Sequence, residues 1–219
     1  MFCGQLISSE IVPMTLQDKV GNASLLMEEL RISQLPVVAD ETFLGLVSEE
    51  DLLDEADETP LEKLQDYFLK SAVNINDHFL VAVKFSRLFH LDIVPVLDEK
   101  NELEGVLTTE SLFRELSNFV GAGEPGSIVV LEMERKDFSL GELNRLVESN
   151  DAYITQLNTQ VDPASQLITV VLKINKEEIS DIIATFQRHE FNVRYYLGEE
   201  LFKNELQENL DHLMNYLNM

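Results

Sequence analysis

Ser48 and Asp51 stand three residues apart in the stretch Phe43 to Leu53, FLGLVSEEDLL, where an apolar run gives way to the polar start of a helix. A helix start presents unpaired backbone N–H groups, a hydroxyl there can donate or accept, and a nearby carboxylate can accept from both hydroxyls of a ribose. The pair has chemistry suited to a nucleoside. The same two residues also form a self-contained cap, with Ser48 closing the helix start and Asp51 at the third helical position, favoured by the dipole. Thr108 and Ser111 repeat the spacing in LEGVLTTESLF, with a hydroxyl where the first site has its acid.

Other chemistry is poorly signalled. His78, His90, His189 and His212 are scattered, with no H-E-x-x-H pair, no cysteine cluster and no G-x-S-x-G, so neither a zinc site nor a hydrolase triad is expected. The run DEADE lacks the Asp-x-Asp-x-Asp-Gly order of a calcium loop and reads as a solvated helix end. Gly121, Gly123 and Gly126 spell G-x-G-x-x-G, but after a helix and before a strand; a dinucleotide site needs the reverse order, so the stretch reads as a linker. Cys3, the single cysteine, has no internal partner and reads as incidental, which fits a reducing cytoplasm.

Forty acidic residues against 16 basic ones give a net charge of -24. Such a field repels phosphate backbones and anionic lipid, so neither nucleic acid nor a membrane is an expected partner. The acidity is spread along the chain, with 23 Asp and Glu against 8 Lys and Arg before residue 121 and 17 against 8 after it. The N-terminal residues MFCGQLISSE do not read as a signal peptide, and no apolar run reaches spanning length. The expected location is cytoplasmic.

The elements that would hold the two Ser/Thr sites come as a repeat: residues 8–54 resemble 67–115 at an offset of 59, rising to 60 after the hairpin. In each copy a polar turn with Asp18 or Asp77 opens a helix striped by Ala23, Met27 and Leu30, or by Ala82, Phe85 and Phe89. A strand starting at Pro36 or Pro95, a hairpin and a second helix follow. This βαββα pair resembles two CBS motifs in tandem, the module named after cystathionine β-synthase. The most specific part of the resemblance is Gly45-Leu-Val-Ser48-Glu-Glu-Asp51, with Gly105-Val-Leu-Thr108-Thr-Glu-Ser111 as its imperfect second copy. The expected boundaries are 1–120 for the pair, with repeats at about 6–58 and 65–120, and 121–126 for a Gly-rich hinge.

Beyond the hinge, Val129, Leu131 and Met133 alternate along a strand, and the capping box from Ser139 to Glu142 opens a helix striped by Leu140, Leu143, Leu146 and Val147. A hairpin turning at VDPAS, a helix striped by Ile179, Ile182, Ile183 and Phe186, and the strand FNVRYYL complete the order βαββαβ. The fold class is α+β, with a ferredoxin-like third unit over 127–198 that resembles an ACT domain. The usual ACT turn, Asp-x-x-Gly-x-Leu, is spaced differently here, since three residues separate Asp137 from Gly141. Residues 199–219, with Phe202, Leu206, Leu210, Leu213 and Leu217 spaced by three and four, read as a C-terminal helix.

The order of CBS pair and ACT-like domain is similar to that of acetoin-utilisation regulatory proteins. The resemblance implies a non-catalytic regulator, an adenosyl-type ligand between the repeats (AMP, ADP, ATP or S-adenosylmethionine), a homodimer and a regulated protein partner. It places Ser48 and Asp51 on the ribose, with Thr108 and Ser111 at the equivalent turn and Ile11, Val12, Leu35 and Pro36 flanking the base. Ser111 lacks the acid, and the positions before the prolines (Ser33, Gln34, Asp92 and Ile93) carry no cation for a phosphate, so one competent site, at Ser48 and Asp51, is expected. The alternative is a constitutive dimeric interaction scaffold with non-functional clefts.

Overall fold

Short strands, helices and turns form where the residue chemistry demands them. A computed structural model describes residues 1–8 and 10–197. The first repeat is β1 (Met14–Thr15), α1 (Val20–Leu30), β2 (Gln34–Ala39), β3 (Thr42–Ser48) and α2 (Glu49–Leu52). The second is β4 (Val73–Asn74), α3 (Phe79–Phe89), β5 (Ile93–Leu97), β6 (Leu103–Thr108) and α4 (Thr109–Phe119). Ahead of each first helix an aspartate reaches back along the chain. Asp18 Oδ2 accepts from the Thr15 N–H at 2.7 Å and Asp77 Oδ2 from the Asn74 N–H at 2.8 Å, which closes the turn locally. Both helices stop at a left-handed residue, Arg31 at φ 55° and His90 at φ 54°.

In each three-stranded sheet the middle strand runs parallel to the first and antiparallel to the third, with Met14 opposite Val37 and Pro36 opposite Leu46, then Val73 opposite Val96 and Pro95 opposite Val106. The prolines lie inside β2 and β5, not at their first residues as expected. They are tolerated there because β1 reaches only Val37 and Val38, and β4 only Val96 and Leu97. Leu35, Val37 and Val47 pack with Ile93, Val96 and Leu107 in one buried core shared by both repeats. Each such side chain contributes about 1.5–3 kcal/mol. Ala23, Met27 and Ala82 face this core as expected, whereas Leu30 and Phe89, at the helix ends, are partly exposed.

The third unit follows the predicted order: β7 (Ser127–Met133), α5 (Leu140–Glu148), β8 (Ile154–Val161), β9 (Ile168–Ile174), α6 (Ser180–Arg188) and β10 (Asn192–Leu197). Its sheet order is β10-β7-β9-β8 with every pair antiparallel, the ferredoxin-like arrangement. Val129, Leu131, Val170 and Leu172 are fully buried on one sheet face and share a core with Leu143, Leu146, Ile182 and Phe186 of the helices. Leu140, expected in that stripe, is 54% exposed, because it is the first residue of α5 and precedes the turn that meets the sheet.

The chain divides into compact units at Leu116 and Ser117, inside α4 and ahead of the expected hinge at 121–126. The Gly-rich stretch is tied to the second unit: the Lys173 ammonium donates to the carbonyls of Gly121 and Glu124, and Gly126, at φ 133°, lies against the Ile174 carbonyl. Among the described residues no helix is long and apolar enough to cross a membrane. The expected C-terminal helix at 199–219 lies outside the described residues.

Candidate functional site

Two motif glycines shape the site. Gly45 in β3 has φ 151°, and a Cβ there would stand 2.6 Å from that of Phe68; Gly105 in β6 has φ 148°, and its Cβ would collide with Ile7. Only glycine fits such a backbone with a neighbouring segment so close. The space is used by chain from elsewhere. Leu46 exchanges two backbone hydrogen bonds with Leu69, both at 2.9 Å, and Val106 exchanges two with Ser8 at 2.9 and 3.2 Å. Residues 1–8 therefore pack on the second repeat and residues 67–69 on the first, so the repeats interleave at their ends. Each strand-to-helix turn becomes the wall of a cleft bounded by residues of both repeats.

The Ser48 turn borders a cleft of about 490 Å³ whose walls include Ser33, Tyr67, Leu69, Phe89, His90 and Leu91. Asp51 Oδ2 accepts from the Ser48 N–H at 2.8 Å and from Ser48 Oγ at 2.6 Å, while the Asp51 N–H donates to Ser48 Oγ at 3.3 Å. This is a reciprocal cap on a helix of only four residues. Asp51 Oδ1 has no hydrogen-bond partner among the described residues, so one carboxylate oxygen holds the cap and the other is open to a hydroxyl. Glu49, Glu50 and Asp51 give this cleft three carboxylates, with no lysine or arginine in its wall.

Thr108 and Ser111 border a second, larger cleft of about 760 Å³, with Ile7, Ile11, Arg31, Ile32 and Arg114 in its wall. Thr108 Oγ1 accepts from the Ser111 N–H at 3.1 Å, and Ser111 Oγ donates to the Thr108 carbonyl at 2.9 Å. Ile11 thus belongs with Thr108 and Ser111 and not with Ser48 and Asp51. Val12 is 67% exposed and Leu35 fully buried in the core beside the buried Pro36; none of the three borders either of these clefts. The reason is the interleaving: β2 lies between two strands under the shared core, so its apolar residues face inward, and the cleft walls come from chain ends and helix ends.

Sequence reasoning missed Tyr67, Phe89 and His90 at the first cleft and Arg31 and Arg114 at the second. The cations were sought before the prolines but stand at the end of α1 and one turn into α4. Their signal was present as an alignment: Leu30-Arg31-Ile32 and Phe89-His90-Leu91 are equivalent at the offset of 59, so each repeat lends the end of its first helix to the other's turn. Cys3 is fully buried, and burial together with the negative charge of Asp77 pushes its thiol up to about 11. It stays protonated at neutral pH. Among the described residues no group of three or more His, Cys, Asp and Glu is placed to hold a metal ion.

Residues 3–58 match the family model of the CBS domain. That span holds the first repeat, which is similar to a CBS domain. A CBS domain pair/ACT domain protein from Thermotoga maritima shares the fold at a TM-score of 0.51 and 18% identity, over 55% of this chain and 99% of that one. The structure of CBSX2 in complex with AMP aligns at a TM-score of 0.47 and 20% identity, over 54% of this chain and 97% of that one. Among curated proteins, inosine-5'-monophosphate dehydrogenase of Korarchaeum cryptofilum (strain OPF8) is 28% identical over 127 residues, 57% of this chain. The chain spans about a quarter of that protein's length, the aligned part being 26% of it. The two βαββα repeats and the ferredoxin-like unit agree with the α+β layout expected from the sequence.

Proposed function

We propose that this protein is a non-catalytic regulator whose CBS pair takes an adenosyl-type ligand and whose ACT-like unit assembles two copies or relays the ligand state. The observation that carries this reading is Asp51. Its Oδ1 is open at the wall of a cleft where Tyr67, Leu69 and Leu91 supply apolar surface for a base, and a carboxylate so placed accepts charge-assisted hydrogen bonds from ribose hydroxyls. Assembly into a homodimer is supported by the sheet edges: Tyr195 is 52% exposed on β10 and Tyr153 57% exposed ahead of β8, surface that a second copy would cover. A regulated protein is the natural reader of such a state, and the reading requires no cofactor.

The cap hydrogen bonds favour a second reading, since they account for Ser48 and half of Asp51 without a ligand: a constitutive dimeric scaffold with empty clefts. Thermal stabilisation by adenosine, AMP, ADP, ATP, S-adenosylmethionine and amino acids separates the two. A ligand at a hundred times its dissociation constant adds about 2.7 kcal/mol to stability. The regulator reading expects an adenosyl compound to raise the melting temperature, and a flat response across the panel supports the scaffold. Light scattering that gives a 25.0 kDa particle, the mass of one chain, removes the dimer from both.

A further inference from the structure

An antiparallel sheet with helices on one face and water on the other alternates apolar and polar residues along each strand. In the ferredoxin-like unit β8 keeps that rule: Leu157 lies opposite the buried Leu172 on the helix side, while Gln156, Asn158 and Gln160 lie opposite Lys173, Val171 and Thr169 on the other face. β7 and β9 break it. Between their buried residues, which pack with α5 and α6, stand Ile128, Val130 and Val171, apolar and half-buried on the face turned away from those helices. Val130 pairs with Val171, and on β10 Tyr195 lies opposite Val130 and Leu197 opposite Ile128, which carries the apolar patch to the sheet edge. The Gly-rich segment reaches this face at Lys173, whose ammonium donates to the Gly121 and Glu124 carbonyls.

The patch spans β10, β7 and β9, two strand spacings or about 10 Å, which is the width of one helix. The chain leaves from the patch itself. Leu197, its edge residue, is followed by Gly198, which lets the backbone reverse, and then by residues 199–219 with Phe202, Leu206, Leu210, Leu213 and Leu217 at spacings of three and four. Glu205, Glu208 and Asp211 fall between those positions and suit the side turned to water. As a helix the segment reaches about 30 Å, enough to run the length of a seven-residue strand, about 23 Å. We propose that the open face of the ferredoxin-like sheet is the docking surface for residues 199–219 of the same chain, with Phe202, Leu206 and Leu210 covering Ile128, Val130 and Val171. The segment is favoured over a second copy because it is tethered at the edge of the patch, so its local concentration there is set by a link of a few residues. The backbone edges of β8 and β10 stay open to a second copy, and the inference is independent of the adenosyl and dimer readings.

The test is disulfide trapping in the full chain under mild oxidation at neutral pH, where the buried Cys3 does not compete. One variant combines Val171→Cys with Leu206→Cys. Its control combines Gln187→Cys with Leu206→Cys, since Gln187 is exposed on α6, in the layer on the other side of the sheet. Non-reducing electrophoresis and mass spectrometry follow the rate and separate links within a chain from links between chains. The docked segment is expected to close the Val171 pair within one chain at least about tenfold faster than the control, because contact raises the effective concentration of the two thiols. Should Val171→Cys disturb the sheet, as read by circular dichroism, Thr169→Cys with Leu210→Cys takes its place with the same expectation. Equal rates in the two pairs overturn the docking. A fast link that joins two chains overturns the assignment to the chain's own segment and makes the face an interface between copies.

Discussion

Replacing Asp51 by alanine separates a ligand contact from a helix cap, because its two carboxylate oxygens have different tasks. Oδ2 accepts from the Ser48 N–H and from Ser48 Oγ, both half-buried, so truncation leaves a donor without its partner. The cost to stability is about 1–2 kcal/mol, from the lost cap and the unsatisfied N–H. In a unit of roughly this size that lowers the melting temperature by about 3–10 °C. Oδ1 carries the other role. If it accepts from a ribose, its loss costs adenosine or S-adenosylmethionine about 1.5–3 kcal/mol, a ten- to hundredfold weakening. Asp51→Asn retains an acceptor for Ser48 but no charge, so it should recover most of the stability and only part of the affinity. Calorimetric titration beside thermal melts of the three proteins reads both axes. An affinity for every nucleoside that is unchanged in Asp51→Ala refutes the pocket role, whatever the melts give.

Further expectations concern the frame and the buried polar groups. Gly45→Ala should cost about 2–4 kcal/mol, because φ 151° disfavours any side chain and the new Cβ meets that of Phe68; chemical denaturation showing less than 1 kcal/mol would contradict the close approach. Ser71 is 7% exposed and its Oγ has no hydrogen-bond partner among the described residues, so Ser71→Ala should stabilise by about 1 kcal/mol, and a clear loss of stability in urea would mean that the hydroxyl is satisfied. Cys3 has its thiol raised by burial from 9.0 to about 11, so the folded state favours the protonated form. That contribution is complete below pH 9 and is lost as pH rises towards 11. Melts between those limits should fall less steeply in Cys3→Ala, and alkylation at pH 8 should be slow; rapid labelling of the native protein counts against the buried thiol.

By itself the sequence determined the doubled βαββα unit, the ferredoxin-like order after it, and the turns that carry Ser48 with Asp51 and Thr108 with Ser111. Those features are local: alternation and helical spacing mark the apolar faces, the two aspartate turns precede the helices, and a hydroxyl followed three residues later by an acid is a cap in its own right. Only the tertiary structure decided what those turns face. Residues 1–8 and 67–69 each pair with the strand of the other repeat, admitted by Gly105 and Gly45, and this moves Ile11 to the second cleft and leaves Leu35 and Pro36 in the core. The same crossing brings Arg31 and His90 to turns some eighty and forty residues away in the chain. Contacts between segments so distant carry no periodicity of their own. They follow from burying one shared core beneath both sheets, which fixes where the helix ends emerge and therefore which charges a ligand would meet.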